Sequence, residues 1–156
     1  GEILREEIKN NSKLGQKIST IISSGSLVAD EIVNKLIEDI VSDKKYQNKF
    51  IFDGYPRTLE QAKNLDLLLD NSKQKIDFIF FLNVDKNTII NRVKNRKILE
   101  NRSDDDLDTI LKRYETYMET TKPVLDFYSK NPNFHEIDGS QEIDEIIAKI
   151  DTFLKV

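Results

Sequence analysis

The chain has 156 residues and a mass of 18.2 kDa, a size typical of one domain that buries its own core. Its net charge of −4 argues against broad, nonspecific nucleic-acid binding. The absence of cysteine excludes disulfides, thiol nucleophiles and cysteine-ligated zinc, and a single histidine argues against a multi-histidine metal site. No apolar run approaches the ~20 residues of a membrane span, so a cytoplasmic location is the default expectation.

The first third of the chain is predicted to be helical. Apolar residues at helical spacing predict helices near residues 3–8, 14–22 and 32–41. We expect Ser23–Ser24–Gly25 to end the second helix and Asp30 to cap the third.

The middle of the chain alternates between apolar runs and helical patterns. Phe50–Ile51–Phe52 is short and fully apolar, which predicts a buried strand that ends at Asp53. Thr58 is a candidate cap for the helix that follows it. The longer apolar run Ile76–Val84 predicts a central strand of a parallel sheet.

The second half continues the alternation. Residues 86–96 are predicted to be helical, and the long helical pattern Ser103–Tyr128 should kink or break at Pro123. Phe134–Ile137 predicts a short strand, and residues 141–154 a last helix. Strands that alternate with helices indicate an α/β fold, in which helices flank a parallel sheet.

The residues after the first predicted strand have the chemistry of a phosphate site. Ligands of such sheets bind at the carboxyl ends of the strands, where Asp53 has the placement of an acid that holds Mg²⁺ through water. Gly54 lets a ligand approach the backbone, and Arg57 offers a planar fork that matches phosphate oxygens. A strand followed by a proline turn and a helix cap explains the same residues, and for an arbitrary sequence it is the commoner interpretation.

Arginine is scarce, because only six of the 24 cationic residues are arginine. The six are Arg5, Arg57, Arg92, Arg96, Arg102 and Arg113. The third and fourth are four residues apart and share a helix face, and the last two are about three turns apart. This spacing allows a cage for several phosphates, but it equally allows surface salt bridges worth ~0–1 kcal/mol each.

Residues 50–61, FIFDGYPRTLEQ, closely resemble the signature of adenylate kinases and related nucleoside monophosphate kinases. Further segments, which extend the resemblance across essentially the whole chain, match other motifs of that family in the same order. They are Gly1–Arg5 (S-T-G-[DE]-x-[LI]-R), Ser24–Val28 (G-x-L-V), Arg92–Arg96 (R-x-x-x-R), Arg102–Asp105 with Arg113 (R-x-D-D…R) and Asp138–Ser140 (a late D-G loop). All six arginines fall on motif positions.

The resemblance implies a P-loop kinase-like three-layer sandwich formed by one nucleoside monophosphate kinase domain, residues 1–156. Residues 1–28 would form the rest of the helical segment that binds the monophosphate, and residues 95–105 a very short lid. The implied activity is reversible phosphoryl transfer, ATP + AMP = 2 ADP, with Mg²⁺ as cofactor and without zinc. The implied partners are ATP and AMP alone, with no nucleic acid and no membrane, and the protein would be a monomer.

The resemblance also implies a role for individual residues. The AMP site would comprise Arg5, Ser26, Leu27, Val28, Gly54, Tyr55, Pro56, Arg57, Gln61, Arg102 and Arg113, with Gln61 as the reader of the adenine edge. The ATP site would comprise Arg92, Arg96 and Gln141. The catalytic group would be Arg96, Arg102, Arg113 and Asp53, of which Asp53 holds Mg²⁺ through water. Asp104 and Asp105 would order the lid, and the Tyr55–Pro56 bond would be cis.

The chain departs from the family pattern in three respects. It lacks the G-x-x-x-x-G-K-[ST] loop that cradles ATP phosphates and lies upstream of Gly1 in the family, and it has no initiator methionine. We therefore expect an N-terminally incomplete chain whose activity belongs to the full-length protein. Only five residues separate Arg96 from Arg102, too few for a β subdomain or a zinc site, and Gln141 stands where many relatives have lysine.

Two alternatives to adenylate kinase activity remain open. One is a kinase that prefers UMP or CMP, although Pro56–Arg57–Thr58 with Gln61 resembles the adenine-preferring branch more closely. The other is a non-catalytic nucleotide-binding remnant that has lost the Gly-rich loop. Retention of all six arginines and Asp53 argues against the remnant.

Overall fold

A computed structural model describes the backbone of residues 2–100 and 107–154, with side chains for 2–96 and 108–154. Helices dominate this part of the chain, and most lie where the apolar spacing predicts them. The helices are α1 (Glu2–Lys9), α2 (Lys13–Ser23), α3 (Asp30–Val41), a 3₁₀ turn (Lys44–Tyr46), α4 (Leu59–Asn71), α5 (Lys86–Glu100), α6 (Leu107–Thr116), a π-helix (Tyr117–Thr121), α7 (Lys122–Tyr128) and α8 (Ile143–Leu154). The strands are β1 (Ile79–Asn83) and β2 (Phe134–Asp138).

Two strands form the sheet of the described chain. β1 and β2 are parallel, with Ile79 opposite Phe134 and Asn83 opposite Asp138, which confirms the predicted parallel pairing. The predicted strand Ile76–Val84 is longer than the observed one, because only Ile79–Asn83 pair with β2.

Helices cover both faces of the sheet, as the α/β prediction requires. On one face, Ile79 and Phe134 pack against a buried cluster of α4 and α7 residues, Ala62, Val124 and Tyr128. On the other face, the next residues along the strands, Phe80 and His135, contact Phe153 of α8. The His135 and Phe153 rings stack with centroids 4.0 Å apart. Successive residues of a strand point to opposite faces, so each strand contributes to both helix layers.

A second buried cluster joins α3 to α4. It consists of Ile37, Val41, Leu65 and Leu69, which lie on the facing sides of the two helices. Helix α4 thus contacts α3 with one side and α7 with another, which makes it the shared element of both cores. None of the described helices is both long enough and apolar enough to cross a membrane.

The predicted strand at residues 50–52 does not form. Ile51 is 97% exposed, whereas Phe50 and Phe52 pack against the α3–α4 cluster. The segment therefore has the side-chain alternation of a strand, but no neighbouring strand in the described part of the chain pairs with it. A strand requires a hydrogen-bonded partner, and an apolar run alone cannot reveal whether one is present.

The predicted cap of α3 is also wrong. Ala29 occupies the N-cap position without a side-chain hydrogen bond, and Asp30 is the first helical residue. The Asp30 carboxylate instead accepts hydrogen bonds from two residues near the start of α4, Thr58 and Gln61. The predicted cap of α4 is confirmed, because the Thr58 hydroxyl accepts from the Gln61 backbone N–H at 3.1 Å.

The long helical pattern breaks near Pro123 as predicted. Helix α6 ends at Thr116, a π-helix occupies Tyr117–Thr121, and α7 begins at Lys122. Pro123 lies in the first turn of α7, where its missing N–H costs no helical hydrogen bond.

A small residue allows α1 and α2 to pack closely. Gly15 of α2 is buried, and a β-carbon placed on it would lie 2.7 Å from the carbonyl carbon of Glu7 and closer still to the carbonyl oxygen. No side chain fits between the two backbones at this point. The Ser12 hydroxyl caps α2 by accepting from the Gly15 N–H at 2.8 Å.

We predict that Gly15→Ala destabilises the protein by about 1–3 kcal/mol, because the added methyl group forces the two helices apart. Urea unfolding measures the change as a lower transition midpoint at an unchanged slope. Ser19→Ala, at an exposed position of the same helix, is the control and should shift stability by no more than about 0.5 kcal/mol. Equal midpoints for the two variants would contradict the close approach at Gly15.

We also predict a pH-dependent contribution from Asp85, which precedes α5. Its carboxylate accepts hydrogen bonds from the Thr88 hydroxyl and from the N–H groups of Thr88 and Asn87, and these bonds lower the pKa of Asp85. A lowered folded-state pKa stabilises the fold above the unfolded value of 3.8, and this stabilisation is lost as the pH falls through the folded pKa. Asp85→Asn should therefore lower the urea midpoint at pH 7, by a margin that shrinks below pH 3.8. A margin independent of pH would contradict the charge effect.

Candidate active site

The loop between the extended segment and α4 carries the first group of predicted site residues. Gly54 has φ +67°, a backbone conformation that favours glycine. The Arg57 Nε–H donates to the Gly54 carbonyl at 2.7 Å, and a β-carbon on Gly54 would lie 2.9 Å from Arg57 Nη2. The guanidinium is therefore folded over Gly54, at a position where any side chain would displace it.

Three charged side chains interact electrostatically at this loop. Burial lowers the pKa of Arg57, the nearby positive charge of Arg113 lowers it further, and the negative charge of Asp53 opposes both effects. Arg113 lies on α6, more than fifty residues further along the chain. The fold thus brings two guanidinium groups together, which is unfavourable in itself and becomes favourable when an anion binds between them.

The connection between α2 and α3 approaches the same helix. Gly25 has φ +73°, and a β-carbon on it would lie 3.3 Å from Thr109 Cγ2 and 3.6 Å from Arg113 Cγ. This contact brings the start of the segment Ser26, Leu27 and Val28 next to α6, with Val28 buried and the other two half-buried. Predicted residues from three separate parts of the chain therefore border one region.

A buried amide holds the loop to the start of α4. Gln61 is only 3% exposed, and its Oε1 accepts from the Arg57 backbone N–H at 2.8 Å. Its Nε2 donates to Asp30 Oδ1 at 2.7 Å, and the Thr58 hydroxyl donates to Asp30 Oδ2 at 2.8 Å. The predicted base reader is thus also a structural link between α3, the loop and α4.

Two further side chains support the loop. The Tyr55 hydroxyl lies 3.1 Å from Asn34 Oδ1 and 3.3 Å from the Gln61 carbonyl, and burial raises the pKa of Tyr55. The Tyr55–Pro56 bond is cis, as the resemblance implied, and both residues are half-buried. From the π-helix, the Thr121 hydroxyl donates to the Arg57 carbonyl at 2.9 Å.

The predicted ATP residues lie at the carboxyl ends of β1 and β2. Arg92 of α5 donates to the carbonyls of Gly139, Ser140 and Gln141, the last at 3.0 Å. The Ser140 hydroxyl and N–H, together with the positive charge of Arg92, lower the pKa of Asp138. The structure therefore brings Arg92 and Gln141 together through the backbone of Gln141.

The structure does not bring every predicted residue to one point. Arg5 is exposed on α1, where it makes no hydrogen bond or ion pair with residues 2–96 or 108–154. Arg96 lies one turn after Arg92 on α5, and α5 packs against α6. Arg102, Asp104 and Asp105 lie outside the described residues. Residues 95–100 of the predicted lid belong to α5, and residues 101–105 of that lid also lie outside the described residues.

The chemistry of Asp53 fits a magnesium ion held through water. Its side chain is exposed at the end of the extended segment, and among the described side chains none hydrogen-bonds or ion-pairs with it. The described residues contain no cluster of three or more metal-ligating side chains. Mg²⁺ keeps several waters and is often bound through one or two carboxylates plus substrate phosphates, so a single exposed carboxylate is a suitable donor.

Sequence reasoning missed the residues that support the site through tertiary hydrogen bonds. Asp30 carried only the signal of a helix cap, and its two partners lie about thirty residues away in sequence. Asn34 and Thr121 carried no signal, because each acts through a tertiary contact with the loop.

Comparison of the sequence with known proteins identifies its family. The family model described as adenylate kinase matches residues 1–133. The chain is 43% identical to the adenylate kinase of Pelagibacter ubique (strain HTCC1062), over all of this chain and 85% of that protein. It is 39% identical to the adenylate kinase of Hyphomonas neptunium, over 99% of this chain and 82% of that protein. It is 37% identical to the adenylate kinase of Caulobacter sp. (strain K31), over 100% of this chain and 82% of that protein. The chain therefore belongs to the adenylate kinase family.

Proposed function

We propose that the protein transfers the terminal phosphoryl group of ATP to AMP and so forms two molecules of ADP. The bond from the γ-phosphorus to the bridging oxygen breaks, and a bond to a phosphate oxygen of AMP forms. Phosphoryl transfer needs positioning and charge neutralisation more than covalent chemistry, so the lack of cysteine and the single histidine are no obstacle. The observation that carries the proposal is the position of Arg57, whose guanidinium lies over Gly54 within electrostatic range of Arg113 and Asp53.

On the AMP side, Arg57 and Arg113 bind the phosphate, with Arg5 and Arg102 as further donors. The base lies against Ser26, Leu27, Val28 and the loop residues Gly54, Tyr55 and Pro56. Gln61 hydrogen-bonds to the adenine edge with the donor and acceptor positions of its side-chain amide that Asp30 and Arg57 do not occupy. One Nε2–H and one Oε1 lone pair remain after the bonds to Asp30 and Arg57. Because Gln61 is buried, the base reaches it only after its neighbours move.

On the ATP side, Arg92 and Gln141 bind next to the base, and Arg96 faces the transferring phosphoryl group together with Arg102 and Arg113. The hydrogen bonds from Arg92 to the carbonyls of residues 139–141 support this arrangement, because they fix a cation at the carboxyl ends of the strands. Ligands of open α/β sheets bind at this edge.

Asp53 would hold Mg²⁺ through water molecules. When bound, the ion neutralises negative charge on the phosphates during transfer. The exposed carboxylate supports this role, and its charge also offsets part of the repulsion between Arg57 and Arg113.

We further propose that residues 1–156 form one domain, in which residues 1–28 contribute to the AMP site. Residues 95–105 would form a short lid that Asp104 and Asp105 order. Closure of the lid would exclude water and suppress hydrolysis of ATP. The protein would act as a cytoplasmic monomer whose partners are ATP and AMP.

A coupled assay of the full-length protein distinguishes the possible activities. It supplies ATP and Mg²⁺ with AMP, UMP, CMP or GMP and detects the new diphosphate. The highest kcat/KM with AMP supports the proposal. A higher value with UMP or CMP would indicate a pyrimidine-preferring kinase, and nucleotide binding without turnover would indicate a non-catalytic remnant.

Arg57→Ala should lower kcat/KM for AMP by about tenfold to hundredfold, since a hydrogen bond to a charged group contributes about 1.5–3 kcal/mol. Steady-state kinetics with varied AMP measure the loss. Lys75→Ala is a matched control, because Lys75 is an exposed cation that pairs only with Asp77 before β1. Unchanged turnover in Arg57→Ala would contradict the proposed phosphate site.

Gln61→Leu should raise the KM for AMP about tenfold, which corresponds to ~1.4 kcal/mol, and should change the KM for ATP much less. The same variant should lower the melting temperature, because the Arg57 N–H and Asp30 Oδ1 both lose their partner. Kinetics at varied AMP and varied ATP separate the two effects. Equal increases in both KM values would count against a role at the AMP base.

A further inference from the structure

Asp30 connects the two segments that border the proposed AMP site. One residue, Ala29, separates it from the base-side segment 26–28, and its carboxylate reaches across to Thr58 and Gln61, the residues after the phosphate-side loop. Both of its oxygens are used, one by the Gln61 side-chain amide at 2.7 Å and the other by the Thr58 hydroxyl at 2.8 Å. The partners are 28 and 31 residues away in sequence, so these bonds are purely tertiary.

The bonds continue from Asp30 to the arginine of the loop. Asp30 fixes which end of the Gln61 amide is the donor, since only the Nε2 end can bind a carboxylate. The Oε1 end is thereby directed at the Arg57 backbone N–H, which it accepts at 2.8 Å. The Thr58 hydroxyl, held by the second Asp30 oxygen, accepts the Gln61 backbone N–H at 3.1 Å.

We infer that Asp30 is a positioning residue for AMP: it orients the amide of Gln61 and, through it, holds the backbone of Arg57. This inference rests on the proposed function. Asp30 touches no substrate itself. Its role is to place the base-reading amide and the phosphate-binding arginine in one geometry before the nucleotide arrives, which lowers the cost of ordering them on binding.

Three observations favour positioning over simple helix stabilisation. Asp30 is not the N-cap of α3, so it does not serve its own helix as a cap. One of its two bonds is made to the side-chain amide of Gln61, which is buried, and the other to the hydroxyl of Thr58, which is half-buried. The cores of α3 and α4 are joined elsewhere, by Ile37, Val41, Leu65 and Leu69, which do not depend on this carboxylate.

The test compares Asp30→Ala with wild type in the full-length protein. We expect the KM for AMP to rise at least about fivefold, whereas the KM for ATP and kcat stay within about twofold. Asp30→Asn should recover most of the loss, because its amide oxygen can accept from Gln61 and its NH₂ can donate to the Thr58 hydroxyl. Asp39→Ala is the control, because Asp39 is an exposed carboxylate on the same helix that pairs with Lys35.

A double-mutant cycle isolates the path through Gln61. If Asp30 acts through that amide, then Asp30→Ala should add little to the KM effect of Gln61→Leu. KM does not depend on the folded fraction of a preparation, so partial unfolding of a single variant does not distort the comparison. Additive effects would overturn the inference, and so would equal increases of both KM values in Asp30→Ala.

Amide hydrogen exchange separates this inference from the proposed function. The Arg57 N–H should exchange faster in Asp30→Ala than in wild type, whether or not AMP is the substrate. A wild-type protein without AMP turnover would overturn the proposed function, and unchanged Arg57 exchange would overturn the positioning role of Asp30. Faster exchange together with an unchanged KM for AMP would also overturn it, because the contact would then be structural alone.

Discussion

The site depends on a single buried amide. Gln61 lies in the first turn of α4, where its side chain bonds to α3 at one end and to the Arg57 backbone at the other. A buried polar group of this kind is costly unless each of its hydrogen-bonding atoms finds a partner. Because the partners of Gln61 come from two other segments, satisfying it fixes the geometry of all three. The same hydrogen bonds therefore fix the position of the loop that carries Asp53, Gly54 and Arg57.

The charges of Arg57, Arg113 and Asp53 give this loop its chemical character. The fold places Arg57 and Arg113 within electrostatic range of each other, although their mutual repulsion works against folding. The negative charge of Asp53 offsets part of this repulsion. Like-charged groups held close together are typical of functional sites. The chain belongs to the adenylate kinase family, for which we propose that these groups bind phosphate.

The sequence was sufficient for the features that arise locally or repeat regularly. The helical spacing located most helices, the Thr58 cap was identified, and the alternation of strands and helices indicated the parallel sheet. The prediction of a strand at Phe50–Phe52 was wrong because pairing is a property of two segments. One segment alone cannot show whether a partner strand is present. The predicted role of Asp30 was wrong for a similar reason. A carboxylate near the start of a helix is interpreted as a cap unless its tertiary partners are known.

The π-helix has a consequence for the long helical segment that contains it. Its wider turn changes the angular phase of the residues that follow, so α6 and α7 need not expose the same side. Arg113 can then lie against Gly25 while Val124 and Tyr128 face the sheet, and Thr121 at the junction reaches the Arg57 carbonyl. A one-residue insertion or deletion between Tyr117 and Thr121 would rotate one half against the other. The length of this segment therefore matters for the relative orientation of α6 and α7.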